Sequence, residues 1–145
     1  MWRKAYGKLE ALLEGRALEH AWSNLSTAQH EVVCSEFLRG HQKNELPRLK
    51  WLLLPPGRTL KDIDIFGIAT DGKMLLAQIT FLKKRDTEEK KSNLLNCTES
   101  AAHLLMFCQC EKLEMEDNVH FVPVEDVFTW LEDNQDYAAL CFSGR

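Results

Sequence analysis

Apolar residues recur at intervals of three and four along several stretches of the chain, and this spacing predicts helices. One such stretch covers residues 3–19, and a second covers residues 26–40 with Ser26 as its expected N-cap. A longer one covers residues 88–110, and the last covers residues 125–134. The buried face of the second helix is expected to carry Val33, Cys34, Phe37 and Leu38.

Short apolar runs bounded by turn residues predict strands. Residues 48–54 form one such run, which two prolines and a glycine end. Residues 61–81 predict a hairpin, and residues 119–124 predict a fourth strand. A crossover helix of about twenty residues is long enough for a right-handed parallel connection. The chain is therefore predicted to be α/β (α+β), with a mixed four-stranded sheet flanked by helices.

The turn of the hairpin can close in two ways. A two-residue turn pairs Thr70 with Lys73 and mixes polar with apolar side chains on both faces. A three-residue loop with Gly72 in the left-handed conformation pairs Ala69 with Lys73 and leaves one face wholly apolar. Because a slip of one residue moves every side chain across the sheet, burial of that face favours the three-residue loop. We expect the apolar face to pack under the helix predicted for residues 88–110.

The favoured register gathers the polar side chains of the hairpin on its other face. Asp64 lies opposite Gln78, and Asp62 lies opposite Thr80. Oxygen-rich clusters of this kind suit hard cations such as Mg²⁺. The alternative is a polar strand end that faces solvent and disfavours pairing with another sheet edge.

Length and composition indicate one ordinary globular domain, with 145 residues of which 45% are hydrophobic and 28% charged. We expect a helical extension over residues 1–24, a core over residues 25–124, and a helix and tail over residues 125–145. No apolar run is long enough to cross a membrane, and the first residues lack the apolar region of a signal peptide. Five cysteines without regular spacing indicate a reducing compartment, so we expect a cytoplasmic protein.

The positions of the cysteines and of the charged residues bear on two possible ligands, zinc and nucleic acid. Cys108 and Cys110 would point about 200° apart on the helix predicted there, which argues against a zinc site. The net charge of −4 does not favour a polyanion, so contact with nucleic acid would depend on local basic clusters. These clusters flank the predicted strands: Arg48 with Lys50, Arg58 with Lys61, and Lys83 with Lys84 and Arg85.

Residues 25–124 resemble the PD-(D/E)xK nuclease superfamily, and within it the Mrr-like branch whose last motif is Gln-x-Lys. The resemblance depends on a glutamate-bearing helix, STAQHEVVCSEFL, on an aspartate before apolar residues, DIDIFG, and on the motif LLAQIT in the next strand. It implies a restriction-endonuclease-like αβββαβ core. It also implies a DNA endonuclease that uses Mg²⁺ or Mn²⁺.

The resemblance assigns roles to particular residues. Asp64 would bind the metal by its carboxylate, Gln78 by its side-chain oxygen, and Ile79 by its backbone carbonyl. Glu31 would be the helix carboxylate near the site, and Asp62 is the open alternative as a further ligand. In such enzymes the metal activates a water molecule and stabilises the phosphate as it reacts.

One departure from the family concerns Thr80, which stands where the family has a lysine. A threonine hydroxyl carries no charge, and its pKa is too high for a general base. Lys84, four residues on, and Lys90 and Lys91 near the start of the next helix are candidate replacements.

Three hypotheses follow. The first is an active nuclease, in which one of these lysines replaces the missing one and which dimerises as small nucleases of this fold often do. The second is an inactive module of the same fold that binds DNA or a protein partner. The third is a structural protein of an unrelated α+β fold.

Overall fold

The computed structural model describes residues 25–53, 63–97 and 101–134. The predicted helix at residues 3–19, the turn at residues 55–57 and the C-terminal tail lie outside this part of the chain, as do Arg58, Lys61 and Asp62. The described elements are, in order, α1 (Thr27–Gly40), β1 (Leu49–Leu53), β2 (Ile65–Ala69), β3 (Met74–Lys83), a 3₁₀ turn (Lys84–Asp86), α2 (Glu88–Leu95), β4 (Ala102–Gln109), β5 (Glu114–Glu116), β6 (Val119–Pro123) and α3 (Val124–Glu132).

The strands form one mixed six-stranded sheet in the order β1-β2-β3-β4-β6-β5. The first three strands pair antiparallel, and α2 then carries the chain across to β4, which runs parallel to β3. Strand β6 is parallel to β4, and the short β5 pairs antiparallel with β6 at the far edge. The predicted α/β class and mixed sheet are confirmed. The predicted number of four strands is wrong.

The helix predicted for residues 88–110 is the main error. The chain forms the shorter α2 there and then β4, in which every residue from Leu104 to Cys108 is buried. A strand covered on both faces is a continuous apolar run, and its periodicity does not distinguish it from a buried helix. The strand that returns after the crossover is therefore β4, and the strand predicted at residues 119–124 is β6.

The hairpin register is confirmed. Ile65 pairs with Ala77, and the Ala69 N–H donates to the Lys73 carbonyl over 2.8 Å. Gly72 has φ +86°, the left-handed conformation that the three-residue loop requires. Its apolar face packs under α1 rather than under a helix at residues 88–110.

Two cores lie on opposite faces of the sheet. Helices α1 and α3 cover one core, and α2 covers the other. The first contains the buried side chains predicted for α1, which are Val33, Cys34, Phe37 and Leu38. Among the described residues, no helix is long and apolar enough to cross a membrane.

Hydrogen bonds hold both ends of α1. At its start, the Gln29 N–H donates to Ser26 Oγ over 3.2 Å, and the Ser26 N–H donates to Gln29 Oε1 over 2.9 Å, which forms a capping box. At its end, His41, rather than Gly40, leaves the helical conformation, and its backbone N–H donates to the Phe37 carbonyl.

The His41 ring is 1% exposed and fastens the loop that leads from α1 to β1. Its Nδ1 accepts from the Lys43 backbone N–H at 3.0 Å, so Nε2 carries the proton and donates to the Pro47 carbonyl at 3.0 Å. Only the neutral ring makes both bonds. Burial lowers the pKa of His41 below its ordinary value of 6.5, against an opposing effect of the Pro47 carbonyl.

We expect the parent protein to lose stability as the pH falls from 7.5 to 5. Because the folded pKa of His41 lies below 6.5, its contribution is complete above that pH and is lost as the pH falls through the folded pKa. A His41→Phe variant should be about 2 kcal/mol less stable at pH 7.5, since two hydrogen bonds are lost. Urea unfolding at both pH values should show a smaller pH dependence in the variant. Burial also lowers the pKa of His120, so His120 contributes to the pH dependence of stability equally in the parent and in the variant. An unchanged pH dependence would contradict the assignment.

Candidate functional site

Asp64 lies immediately before β2, where the chain turns. Ile63 packs in the core under α2 and Ile65 in the core under α1, so the regular alternation of the strand ends between them. The register predicted from the sequence places Ile63 and Ile65 together on the apolar face, and the structure corrects this for Ile63. The Asp64 N–H donates to the Ala77 carbonyl over 2.9 Å, and its Oδ2 accepts from the Ile79 N–H over 2.7 Å. The carboxylate thus continues the hydrogen bonds between β2 and β3.

Gln78 is the cross-strand neighbour of Asp64, one step beyond the pair of Ile65 and Ala77. It shares a face with Leu76 and with its partner on β4, Met106, both of which belong to the core under α2. The Gln78 side chain is 3% exposed. Its Oε1 is fully enclosed and has no hydrogen-bond partner among the described residues.

An unpaired buried carbonyl oxygen is unusual because it costs about 1–3 kcal/mol relative to a satisfied one. A cation or a water molecule would remove that cost. The donors that the sequence predicts for a metal here are the Asp64 carboxylate, the Gln78 carboxamide oxygen and the Ile79 backbone carbonyl. These are oxygen donors, and they fit a hard cation better than a soft one.

The sequence predicts two further carboxylates for the metal site, Asp62 and Glu31. Asp62 lies outside the described residues. Glu31 is on α1, one turn before Cys34, and the Asp64 charge raises the pKa of Cys34 in addition to the larger effect of burial. Helix α1 therefore passes near Asp64. Among the described residues, no three His, Cys, Asp or Glu side chains form a group that would hold a metal ion.

Thr80, the residue that the sequence resemblance aligns with a lysine, is half-buried, and its Oγ1 accepts from the Leu82 N–H over 3.1 Å. This bond supports the local backbone at the end of β3. It supplies no positive charge to Asp64 or Gln78.

The ammonium of Lys84 forms ion pairs with two carboxylates of β5, the edge strand of the sheet. It bonds to Glu114 and to Glu116, the latter at 2.9 Å, and it lies 4.9 Å from the centre of the Phe121 ring. These hydrogen bonds raise the pKa of Lys84 well above its ordinary value. The backbone of Phe121 lies two strands from that of Gln78 in register, a separation of about 10 Å by strand spacing.

Lys91 is bound in the same region. Its side chain is 8% exposed and pairs with Asp117 at 2.9 Å, Glu88 at 3.4 Å and Glu116 at 3.5 Å. The bond to Asp117 is the main cause that raises the pKa of Lys91. Both lysines thus fasten the segment after β3 to the hairpin of β5 and β6, and sequence reasoning missed this because β5 was not predicted.

Comparisons with models of protein families, with curated proteins and with solved structures gave no significant match.

Proposed function

We propose that this chain is a DNA endonuclease of the PD-(D/E)xK type, of the Mrr-like branch, which hydrolyses phosphodiester bonds with Mg²⁺ or Mn²⁺. The single observation that carries the proposal is the buried, unpaired Oε1 of Gln78 across the strands from the Asp64 carboxylate. The order of α1, three antiparallel strands, α2 and the parallel β4 supports it as the αβββαβ core of that fold.

In this proposal Asp64, Gln78 and the Ile79 carbonyl hold the metal, and Glu31 supports the site from α1. When bound, the metal supplies Lewis-acid chemistry to a phosphate and its attacking water. The Ile79 N–H fixes the Asp64 carboxylate on β3, so this ligand is oriented before the metal arrives.

A Gln78→Met variant tests the role of the unpaired oxygen. Without metal, the variant should be about 1–2 kcal/mol more stable than the parent, since an unsatisfied polar atom is replaced by an apolar group of similar size. With Mg²⁺ at tenfold excess over its Kd, the parent should gain about 1.4 kcal/mol and the variant nothing. Urea unfolding with and without MgCl₂ or MnCl₂ measures both effects, and plasmid cleavage by the same samples measures activity.

Two carboxylates of the same hairpin provide a second test and its matched control. Asp64→Asn should weaken the effect of the metal and abolish cleavage. Asp71→Asn changes a carboxylate at the opposite end of the hairpin, which bonds to His103 at 2.7 Å, and should leave both intact. If neither cation stabilises the parent, the metal site and the nuclease are refuted together.

A second candidate function is an inactive module of the same fold that binds DNA or a protein partner. The observation that favours it is that Lys84 and Lys91 pair with acids of β5 and of the turn after it. It predicts binding of DNA or of a protein partner without cleavage of duplex, single-stranded or branched DNA. Cleavage that Asp64→Asn abolishes would exclude it.

A further inference from the structure

The outer edge of β1 carries exposed apolar side chains. Strand β1 stands at one end of the sheet, and no strand of the described residues pairs with its outer side. Its last three side chains are large and apolar, yet Trp51 is 60% exposed, Leu52 41% and Leu53 39%. An exposed apolar strand at the edge of a sheet is a place where another strand can pair.

The first half of β1 is protected against such pairing. Its register on β2 shifts between Leu49 and Trp51, and Lys50 stands in that bulge. Bulges and lysines are both means by which natural sheets keep an edge from pairing with another chain. The second half, from Trp51 to Leu53, has neither, so an incoming strand would pair there.

Leu52 is the residue whose backbone groups point to the open edge. On β2, the Ala69 N–H donates to the Lys73 carbonyl, on the side of β3. Backbone groups of successive residues in a strand turn to alternate sides, so those of Gly67 also turn to β3. Gly67 pairs with Leu52. Because the groups of facing residues both point inward or both point outward, the N–H and the carbonyl of Leu52 point away from β2.

We propose that a second copy of this chain covers β1, through antiparallel pairing of the two β1 strands about a two-fold axis at Leu52. In this register the two Leu52 residues exchange both of their outward hydrogen bonds. Their side chains meet on the face that α1 covers, and Trp51 meets the partner's Leu53 on the face that α2 covers. Each exposed apolar side chain of β1 then lies opposite another, so the edge is complementary to its own copy.

The neighbouring registers fit less well. Only residues whose backbone groups point to the same side can pair, so the axis can move to Trp51 or Leu53 but not between two residues. An axis at Trp51 would bring the bulge and Lys50 into the ladder, and one at Leu53 would bring Pro55 opposite Trp51. An axis at Leu52 avoids both and sets the two Lys50 residues about 14 Å apart along the strands.

The size of this interface predicts weak association. Each partner of a stable dimer buries about 800 Å², and three exposed side chains with half of a short strand cover less than that. We therefore expect monomer and dimer to exchange, with the dimer forming as the protein concentration rises. The pairing uses no residue of the proposed metal site, so it is independent of the proposed nuclease.

The test is sedimentation equilibrium of the full chain from about 5 to about 500 µM, a range suited to a weak dimer. The parent should pass from monomer to dimer. Leu52→Lys sets two ammonium groups opposite each other across the axis, and Leu52→Glu sets two carboxylates there. Each variant alone should raise the Kd of the dimer about tenfold. An equimolar mixture of the two pairs Lys with Glu and should associate more tightly than either variant alone.

Leu82→Lys is the matched control, because Leu82 is 38% exposed and lies on β3, the third strand from this edge. It should keep the Kd of the parent, and urea unfolding of dilute samples checks that every variant is folded. A parent that stays monomeric over the whole range, or a Leu52→Lys variant that dimerises like the parent, refutes the proposal. A mixture that associates no more tightly than the single variants refutes the axis at Leu52.

Discussion

A Gly67→Ala variant is expected to lose about 3 kcal/mol of unfolding free energy, the upper end of the usual cost of overpacking. A Cβ at Gly67 would lie 2.3 Å from the Trp51 carbonyl oxygen and 2.5 Å from Leu49 Cδ1. A backbone oxygen has no rotamer into which it can move away, so β1 would have to separate from β2. Urea unfolding followed by circular dichroism measures the loss.

Gly72→Ala is the matched control. Gly72 has φ +86°, but a Cβ there meets nothing within 4 Å. The control therefore isolates the cost of a left-handed backbone, which is about 1–2 kcal/mol for an ordinary residue. If Gly67→Ala costs no more than Gly72→Ala, β1 does not approach β2 as closely as described.

The hairpin was predictable because its two signals agree. The alternation of polar and apolar residues and the left-handed Gly72 both select the same register, and a slip by one residue would have exposed the apolar face. The position of Asp64 opposite Gln78 followed directly from that register. The register did not predict the turn of the chain at Asp64, because this turn depends on Ile63 packing on the other face of the sheet.

Strands β4 and β5 were not predictable for two different reasons. β4 is covered on both faces, so its sequence lacks the alternation of a half-buried strand. β5 has only three residues, and its one local signal is the turn at Asp117 and Asn118, which both have positive φ. Missing β5 also concealed the partners of Lys84, because Glu114 and Glu116 lie 30 and 32 residues further along the chain.

The hairpin of β5 and β6, which carries Glu114, Glu116 and Asp117, also determines which lysines are available to the candidate site. Thr80 carries no charge, and two lysines near it in sequence, Lys84 and Lys91, join the segment after β3 to the hairpin of β5 and β6. Their charges stabilise the far half of the sheet. An enzyme built on Asp64 and Gln78 would therefore meet a phosphate without the charges of Lys84 and Lys91, and its metal would have to supply positive charge in their place.

A Phe37→Ala variant is expected to lose about 3–5 kcal/mol of unfolding free energy, a large part of the stability of a typical domain. Phe37 is 1% exposed on α1. Its ring meets those of Phe107 on β4 and Trp130 on α3 edge-on, each with centroids 6.1 Å apart, and lies 5.5 Å from the His41 ring. The truncation therefore opens a cavity where both helices meet the sheet.

Phe37→Leu is the control for this cavity, because it keeps an apolar side chain and should cost less than half as much. Urea unfolding of both variants gives the comparison, and equal losses would contradict a cavity effect. Phe37 is one turn beyond Cys34, whose pKa is raised mainly by burial and to a smaller degree by the charge of Asp64. The proposed metal site depends on Glu31 of α1, so loose packing of α1 should weaken metal binding. We therefore expect Mg²⁺ to add less unfolding free energy to Phe37→Ala than to Phe37→Leu, when both are measured at a temperature at which both variants are folded without denaturant.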